Sequence, residues 1–135
     1  MKCLIIDAVH SAIAEELGMK SEFRNIAWDG IFASLESGQA NVIASCVTIT
    51  EKRKKAYVFS DPYYEVHQAV VVAKDAPITK PEDLKGKKVG VQIGTTAIEA
   101  LRKMNVDIDL RTYDEVGLVF EDMRNGRLDV VVCDD

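Results

Sequence analysis

The chain has 135 residues, of which 47% are hydrophobic and 29% are charged, and its formal net charge is −5 at pH 7. These fractions are typical of soluble globular proteins, and a negative chain lacks the basic surface that a nucleic-acid partner requires. No apolar run approaches the roughly 18 residues of a membrane span, and residues 1–6 are too short an apolar stretch to predict a secretory signal.

The first half of the chain predicts helices and strands in alternation. An amphipathic helix ends near Gly18, with Ile13, Ala14 and Leu17 expected to face inward. The pattern then predicts a strand at 23–27, a helix at 28–37, a strand at 41–45, a loop or helical turn at 50–56 and a strand at 68–73. The polar, proline-marked segment 74–78 indicates a change of lobe.

The second half begins with a capping-box pattern at Thr79-Lys80-Pro81-Glu82, which predicts a short helix. Strands at 87–92, 108–113 and 128–133 and helices at 96–104 and 114–125 are expected to follow. Such alternation is typical of α/β proteins. We therefore expect lobe 1 at 1–73, a hinge at 74–78 and lobe 2 at 79–135, each lobe with a mostly parallel sheet flanked by helices.

Two stretches, 31–46 and 119–134, follow the same template of a helix stopped by glycine, a tight turn and an apolar strand. Open α/β sheets bind ligands at the carboxyl ends of their strands. Those ends carry Ser45-Cys46-Val47-Thr48 in the first copy and Cys133-Asp134-Asp135 in the second. The functional residues are expected there.

Arg53 and Asp134 are the charged candidates. A guanidinium matches a carboxylate with two parallel hydrogen bonds, so Arg53 suits the carboxylate of a ligand. Asp134 suits an ammonium group, although an acid after a strand is also a common turn residue. Together the two charges suit a zwitterion and act on no bond, so we predict binding without catalysis. Lys52, Lys54 and Lys55 are interpreted as a solvated basic turn.

Gly94-Thr95-Thr96 lies between a predicted strand and a predicted helix. It is either an ordinary helix start, with Thr96 and Glu99 as a capping box, or an anion site on the main-chain N–H groups of the helix. It lacks the spacing of a phosphate loop. Trp28 is either a core residue or the aromatic floor of a binding cleft.

No catalytic, metal or cofactor site is predicted. The three cysteines, Cys3, Cys46 and Cys133, lack the spacing of a zinc site or a disulfide framework and are interpreted as buried thiols. His10 and His67 are isolated from any nucleophile in the sequence.

Six motifs taken together resemble the extracellular solute-binding proteins of family 3, the amino-acid receptors of ABC importers. The resemblance covers about residues 10–135 and is carried by Trp28-Asp29-Gly30, Leu35-x-x-Gly38, 48–53, 59–64, 83–92 and Gly94-Thr95-Thr96. The resemblance implies a fold like that of type II periplasmic binding proteins, in which two lobes close around a free amino acid, here a polar or charged one. It also implies delivery to a membrane permease, and a periplasmic or lipid-anchored extracellular location.

The resemblance further implies the roles of individual residues. Arg53 corresponds to the carboxylate-binding arginine, Asp134 to the acid that binds the α-ammonium, and Trp28 to an aromatic or apolar wall. The remaining positions expected to bind the ligand are Ser45, Cys46, Thr48, Thr95 and Thr96. Cys46 occupies a position where relatives often have serine or glycine, so only its main chain is expected to contribute.

The sequence departs from the family at both ends. Residues 1–7 either substitute for the usual first strand or are unrelated to it, and the usual second crossing strand after Asp135 is missing. We therefore expect a homodimer or a segment-swapped oligomer. Two alternative functions stay open: a truncated remnant or sensor with weak or no ligand binding, and a dehydratase of a cyclic acid using Glu65 or Asp134 as proton donor.

Overall fold

The computed structural model describes residues 4–135, with side chains described from Ala8 onward. Met1, Lys2 and Cys3 lie outside the described residues, and with them the prediction for the Cys3 thiol. Leu4–Glu16 is helix α1, so the idea of a substitute strand in residues 1–7 is wrong for residues 4–7. The chain divides into two compact units, Met1–Ser60 and Asp61–Asp135, called unit 1 and unit 2.

Unit 1 contains short helices joined by irregular segments. After α1 come a 3₁₀ turn at Trp28–Gly30, helix α2 at Ile31–Glu36 and helix α3 at Glu51–Lys54. The helix expected at 28–37 and the helical turn expected at 50–56 are thus confirmed.

The two strands predicted in unit 1, at 23–27 and 41–45, are absent, and both segments are irregular. An extended segment becomes a strand only when its main-chain N–H and C=O groups pair with a neighbouring strand. Within the described part of unit 1 no strand is present to pair with either segment. The predicted sheet of the first lobe is therefore wrong for this structure.

Several apolar side chains of unit 1 are exposed as a consequence. Ile13 is 50% and Leu17 is 67% exposed, so the prediction that they face inward is wrong. Phe23 and Val42, which lie in the two segments expected to be strands, are 46% and 71% exposed. The apolar pattern of these segments thus has no described partner surface within unit 1.

Unit 2 contains a four-stranded sheet with the order β1-β4-β2-β3. Its strands are β1 at Gln68–Val72, β2 at Lys88–Gln92, β3 at Asp109–Tyr113 and β4 at Val130–Asp134. A 3₁₀ turn at Pro81–Leu84 precedes β2, and helices α4 at Thr96–Met104 and α5 at Val116–Arg124 connect the parallel strands. The elements predicted from residue 68 onward are confirmed, with shifts of one or two residues at several ends.

Strand β1 runs antiparallel to β4, whereas β2 is parallel to both β3 and β4. The sheet is therefore mixed and mostly parallel, as α/β proteins allow. Strand β1 is hydrogen-bonded to β4 and lies in unit 2, which begins at Asp61. The boundary between units follows Ser60 and so precedes the predicted hinge at 74–78.

The core of unit 2 lies on both faces of the sheet. Val130 and Val132 of β4 pack with Leu101 of α4 on one face, and Val131 packs with Val119 of α5 on the other. All five side chains are at most 3% exposed. This double burial explains why β4 is a continuous apolar run and not an alternating one.

Gly90 in β2 lies directly beneath the side chains of Leu128 and of Val119, the latter on α5. A Cβ at this position would lie 2.4 Å from Leu128 Cδ1 and 2.5 Å from Val119 Cγ1. Both of these side chains are buried in the core, so neither can move aside freely.

We predict that Gly90→Ala lowers the free energy of unfolding by about 1–3 kcal/mol, because the added methyl group overpacks the core. The measurement is the free energy of unfolding in urea, and the m value should be the same in the variant and the wild type. Gly117→Ala is the matched control: no heavy atom lies within 4 Å of its Cβ position, and it lies within α5. The control should be stabilised by about 0.5–1 kcal/mol. A Gly90→Ala protein as stable as the control would contradict this description of the core.

Candidate functional site

Arg53 is held in a defined position in unit 1 by main-chain and side-chain contacts. Its main-chain N–H donates to Thr50 Oγ1 at 3.1 Å, which caps helix α3. Its guanidinium Nη1 donates to the carbonyl oxygen of Thr48 at 2.9 Å. Because two separate hydrogen bonds fix both ends of the residue, the guanidinium is preorganised.

Two aromatic rings lie beside the Arg53 guanidinium. Its central carbon is 5.3 Å from the ring centroid of Phe32 and 6.0 Å from that of Trp28. Cations over aromatic faces at such distances are stabilised by the ring quadrupole. The Phe32 ring in turn stacks on Tyr57 with a centroid separation of 4.9 Å, and the Tyr57 hydroxyl donates to the Glu36 carboxylate. The hydrogen bond from the Tyr57 hydroxyl to Glu36 is the main cause of the raised pKa of Tyr57.

Arg53 differs from the lysines around it. Arg53 is half-buried, whereas Lys52, Lys54 and Lys55 are exposed. Lys54 forms an ion pair with Glu51 at 3.0 Å, within the same helix. This arrangement agrees with the interpretation of the lysines as a solvated turn.

The segment before α3 is irregular and contains Ser45, Cys46 and Thr48. The prediction that these residues lie at the end of a strand is therefore wrong. Cys46 has a main-chain φ of 47°, in the left-handed region that favours glycine. Ser45 is exposed and Cys46 and Thr48 are half-buried. Thr48 contributes its carbonyl group to Arg53, so its contribution to the site is made through the main chain.

The turn at Gly94-Thr95-Thr96 leads from β2 into α4. Gly94 has a φ of 73°, and the Thr95 hydroxyl donates to the carbonyl of Gln92 at 2.8 Å. Thr95 is the N-cap residue, but its side chain makes no capping hydrogen bond. The capping box expected between Thr96 and Glu99 is therefore wrong, because the helix begins one residue earlier than that pattern requires.

Asp134 lies at the carboxyl end of β4 and is exposed. The residue opposite it in the antiparallel pair is Gln68, the first residue of β1. Gln68 Nε2 donates to Asp134 Oδ1 at 2.5 Å and to Thr96 Oγ1 at 3.2 Å. The structure thus brings together Thr96 and Asp134, which the sequence predicts as ligand-binding residues. Both contact Gln68, which the sequence does not predict as part of the site.

Sequence reasoning missed two residues of these clusters, Phe32 and Gln68. Phe32 matches the helix of the repeated template, and its spacing of four from Trp28 is the pattern that could have placed both rings on one helical face. No sequence pattern predicts Gln68 as part of the site, because its position depends on the antiparallel pairing of β1 with β4.

The predicted proton donor of a dehydratase and the predicted buried thiols have less support in the structure. Glu65, one of the two candidate proton donors, is 89% exposed, and its carboxylate lies 3.7 Å from His67 Nε2 on the surface. Cys133 is half-buried, and burial together with the Asp134 carboxylate raises the pKa of its thiol.

The residues that the structure describes form neither a metal site nor a membrane span. No group of three or more His, Cys, Asp or Glu side chains in this part of the chain is arranged to hold a metal ion. The helices described here also fall short of the length and hydropathy of a membrane span.

The chain is similar to known binding proteins. A family model described as bacterial extracellular solute-binding proteins, family 3, matches residues 5–107. The L-cystine-binding protein TcyJ of Escherichia coli K12 is 40% identical over 124 residues, which cover 90% of this chain and 47% of TcyJ. The ABC transporter arginine-binding protein 1 of the same strain is 33% identical over 123 residues, which cover 91% of this chain and 50% of that protein.

Solved structures show the same fold. An ancestral arginine-binding protein, solved once with arginine and once with glutamine, is 42% identical and superposes with a TM-score of 0.90. The superposition covers 96% of this chain and 58% of that protein. The chain thus spans about half the length of the curated relatives that it matches. All three relatives are named as binding proteins and not as enzymes.

Proposed function

We propose that this chain, which belongs to the bacterial extracellular solute-binding proteins of family 3, binds a free amino acid and that Arg53 binds the α-carboxylate. The family match confirms the resemblance drawn from the six sequence motifs. The observation that carries the proposal is the preorganised guanidinium of Arg53. It is half-buried, anchored to the Thr48 carbonyl and flanked by two aromatic rings.

The geometry around Arg53 suits a carboxylate in particular. A guanidinium that is already positioned loses less side-chain entropy when it binds a planar anion than a mobile lysine does. The rings of Trp28 and Phe32 exclude water from part of the guanidinium, which strengthens its attraction for an anion. Ser45 and Cys46 are proposed to add main-chain or hydroxyl contacts to the same ligand.

Asp134 is proposed to bind the α-ammonium group. It is an exposed carboxylate at the carboxyl end of β4 in the mostly parallel sheet, and α/β proteins bind ligands at such strand ends. Thr95 and Thr96 lie at the amino end of α4, whose first main-chain N–H groups have no partners within the helix. They are proposed to contribute to binding the carboxylate.

The proposed ligand is a polar or charged amino acid. The relatives described above are named for binding cystine and arginine, and one is solved with glutamine. One relative is named as an ABC transporter component. We propose on this basis that the whole protein works outside the cytoplasmic membrane, in the periplasm or attached to lipid, and delivers its ligand to a membrane permease.

The remnant or sensor is retained as a second candidate. Ser45 and Cys46 lie in an irregular segment instead of at a strand end, and Cys46 has a left-handed conformation. Loss of the strand would weaken the positioning of both residues.

A thermal-shift screen with the twenty amino acids separates the candidates, because a ligand that binds only the native state raises the melting temperature. No shift with any amino acid would favour the second candidate.

We predict that Arg53→Ala abolishes amino-acid binding, because truncating one partner of a desolvated charge pair costs about 2–5 kcal/mol. The measurement is isothermal titration calorimetry with the amino acid that gives the largest thermal shift. Lys54→Ala is the matched control, since Lys54 is the next residue in the helix and is exposed. An unchanged Kd in Arg53→Ala would contradict the proposal.

The predicted self-association stays a prediction, and we propose that it uses strand β1. The outermost strands of the sheet in unit 2 are β1 and β3, and outer strands pair with other chains. On β3, Asp109 and Arg111 form an ion pair at 3.1 Å, and such charges oppose pairing. On β1, Val70 is 44% exposed. Multi-angle light scattering at micromolar concentration should give twice the mass of the chain, and the mass of a monomer would contradict the prediction.

A further inference from the structure

Gln68 donates hydrogen bonds from one nitrogen to two different elements of unit 2. Its Nε2 contacts Asp134 at the end of β4 and Thr96 at the start of α4. Both acceptor oxygens therefore lie within hydrogen-bond distance of a single atom. Gln68 is itself fixed by the sheet, because it is paired directly with Asp134 across the antiparallel ladder.

The chemistry of Asp134 determines which end of the Gln68 amide faces it. An ionised carboxylate only accepts hydrogen bonds, so the NH₂ group and not the oxygen of the amide faces Asp134. Gln68 Oε1 consequently points the other way. It is fully buried, and within the described part of the chain nothing donates a hydrogen bond to it.

A buried acceptor without a donor destabilises the folded protein, since it loses its hydrogen bonds to water and gains none. An apolar side chain of similar size would avoid that loss. Folding stability therefore does not explain why a glutamine occupies this position. Buried polar groups without a hydrogen-bond partner are uncommon in folded proteins, so each one calls for an explanation, of which a functional role is one.

The two hydrogen bonds from Gln68 have a chemical consequence for its neighbours. A hydroxyl group has one proton to donate, so accepting from Gln68 leaves the Thr96 O–H as a donor to another group. Donation to Asp134 Oδ1 fixes one oxygen of the carboxylate, and the second oxygen, Oδ2, can accept from another group. Unit 2 thus presents one oriented donor and one oriented acceptor close together.

We propose that Gln68 is a positioning residue that orients Thr96 toward the carboxylate and Asp134 toward the ammonium of a bound amino acid. The inference rests on the proposed function, because only an amino acid carries both groups on one carbon. Gln68 need not touch the ligand. Its contribution to affinity is made through the two residues that it holds.

The first test replaces Gln68 by leucine, which has similar size and no donors. The Kd for the tightest-binding amino acid should rise about ten-fold or more in Gln68→Leu, as expected for loss of hydrogen bonds to a charged group. The melting temperature of the ligand-free variant should be unchanged or higher, because the buried, unpartnered oxygen is removed. A merely structural role for Gln68 predicts a lower melting temperature instead.

A double-mutant cycle tests whether Gln68 acts through Asp134. In the Asp134→Ala background, Gln68→Leu should change the Kd much less than it does in the wild type. Equal fold-changes in the two backgrounds, or an unchanged Kd in Gln68→Leu alone, would overturn the inference while leaving the proposed function in place. A wild-type protein that binds none of the twenty amino acids would overturn the proposed function and the inference with it.

A measurement without ligand tests the contact itself. In the proton–nitrogen correlation spectrum, one side-chain NH₂ proton of Gln68 should be shifted downfield by the Asp134 carboxylate. That shift should disappear in Asp134→Ala and persist in Asp135→Ala, the matched control at the adjacent carboxylate. A Gln68 NH₂ signal that is the same in both variants would overturn the inference whether or not an amino acid binds.

Discussion

The antiparallel pairing of β1 with β4 is the constraint on which unit 2 depends. It adds a strand to an otherwise parallel sheet and sets Gln68 opposite Asp134. A shift of the register by one residue would turn every side chain of β1 to the other face and separate these two groups. The same main-chain hydrogen bonds that stabilise the sheet therefore also define the candidate binding residues at its end.

Unit 1 positions its candidate residue by a different principle. Arg53 is held by the threonine cap of a short helix and by the Thr48 carbonyl, and two aromatic rings lie beside its guanidinium. A single turn of helix has little stability of its own. The contacts with the two rings therefore stabilise the local structure and the orientation of the guanidinium together.

The sequence predicted unit 2 well because its signals are local. The apolar run at 130–133, the glycine stop at Gly126 and the periodic pattern of α4 each specify an element without reference to distant residues. In unit 1, Gly38 has the same left-handed conformation as Gly126, so the turn of the repeated template is confirmed. The strand after Gly38 did not form, because a strand needs a neighbouring strand and a pattern does not supply one. Gln68 escaped prediction for the same reason, since its partner is 66 residues away.

The central claim is that both charged ends of an amino acid are recognised. The most direct measurement compares, by calorimetry, the Kd of the tightest-binding amino acid with those of two analogues: the amine that lacks its α-carboxylate and the 2-hydroxy acid that lacks its α-ammonium. The account predicts that each analogue binds at least about ten-fold more weakly, since each lacks one of the two charged groups that the protein is proposed to bind. Equal Kd values for the amino acid and either analogue would contradict it.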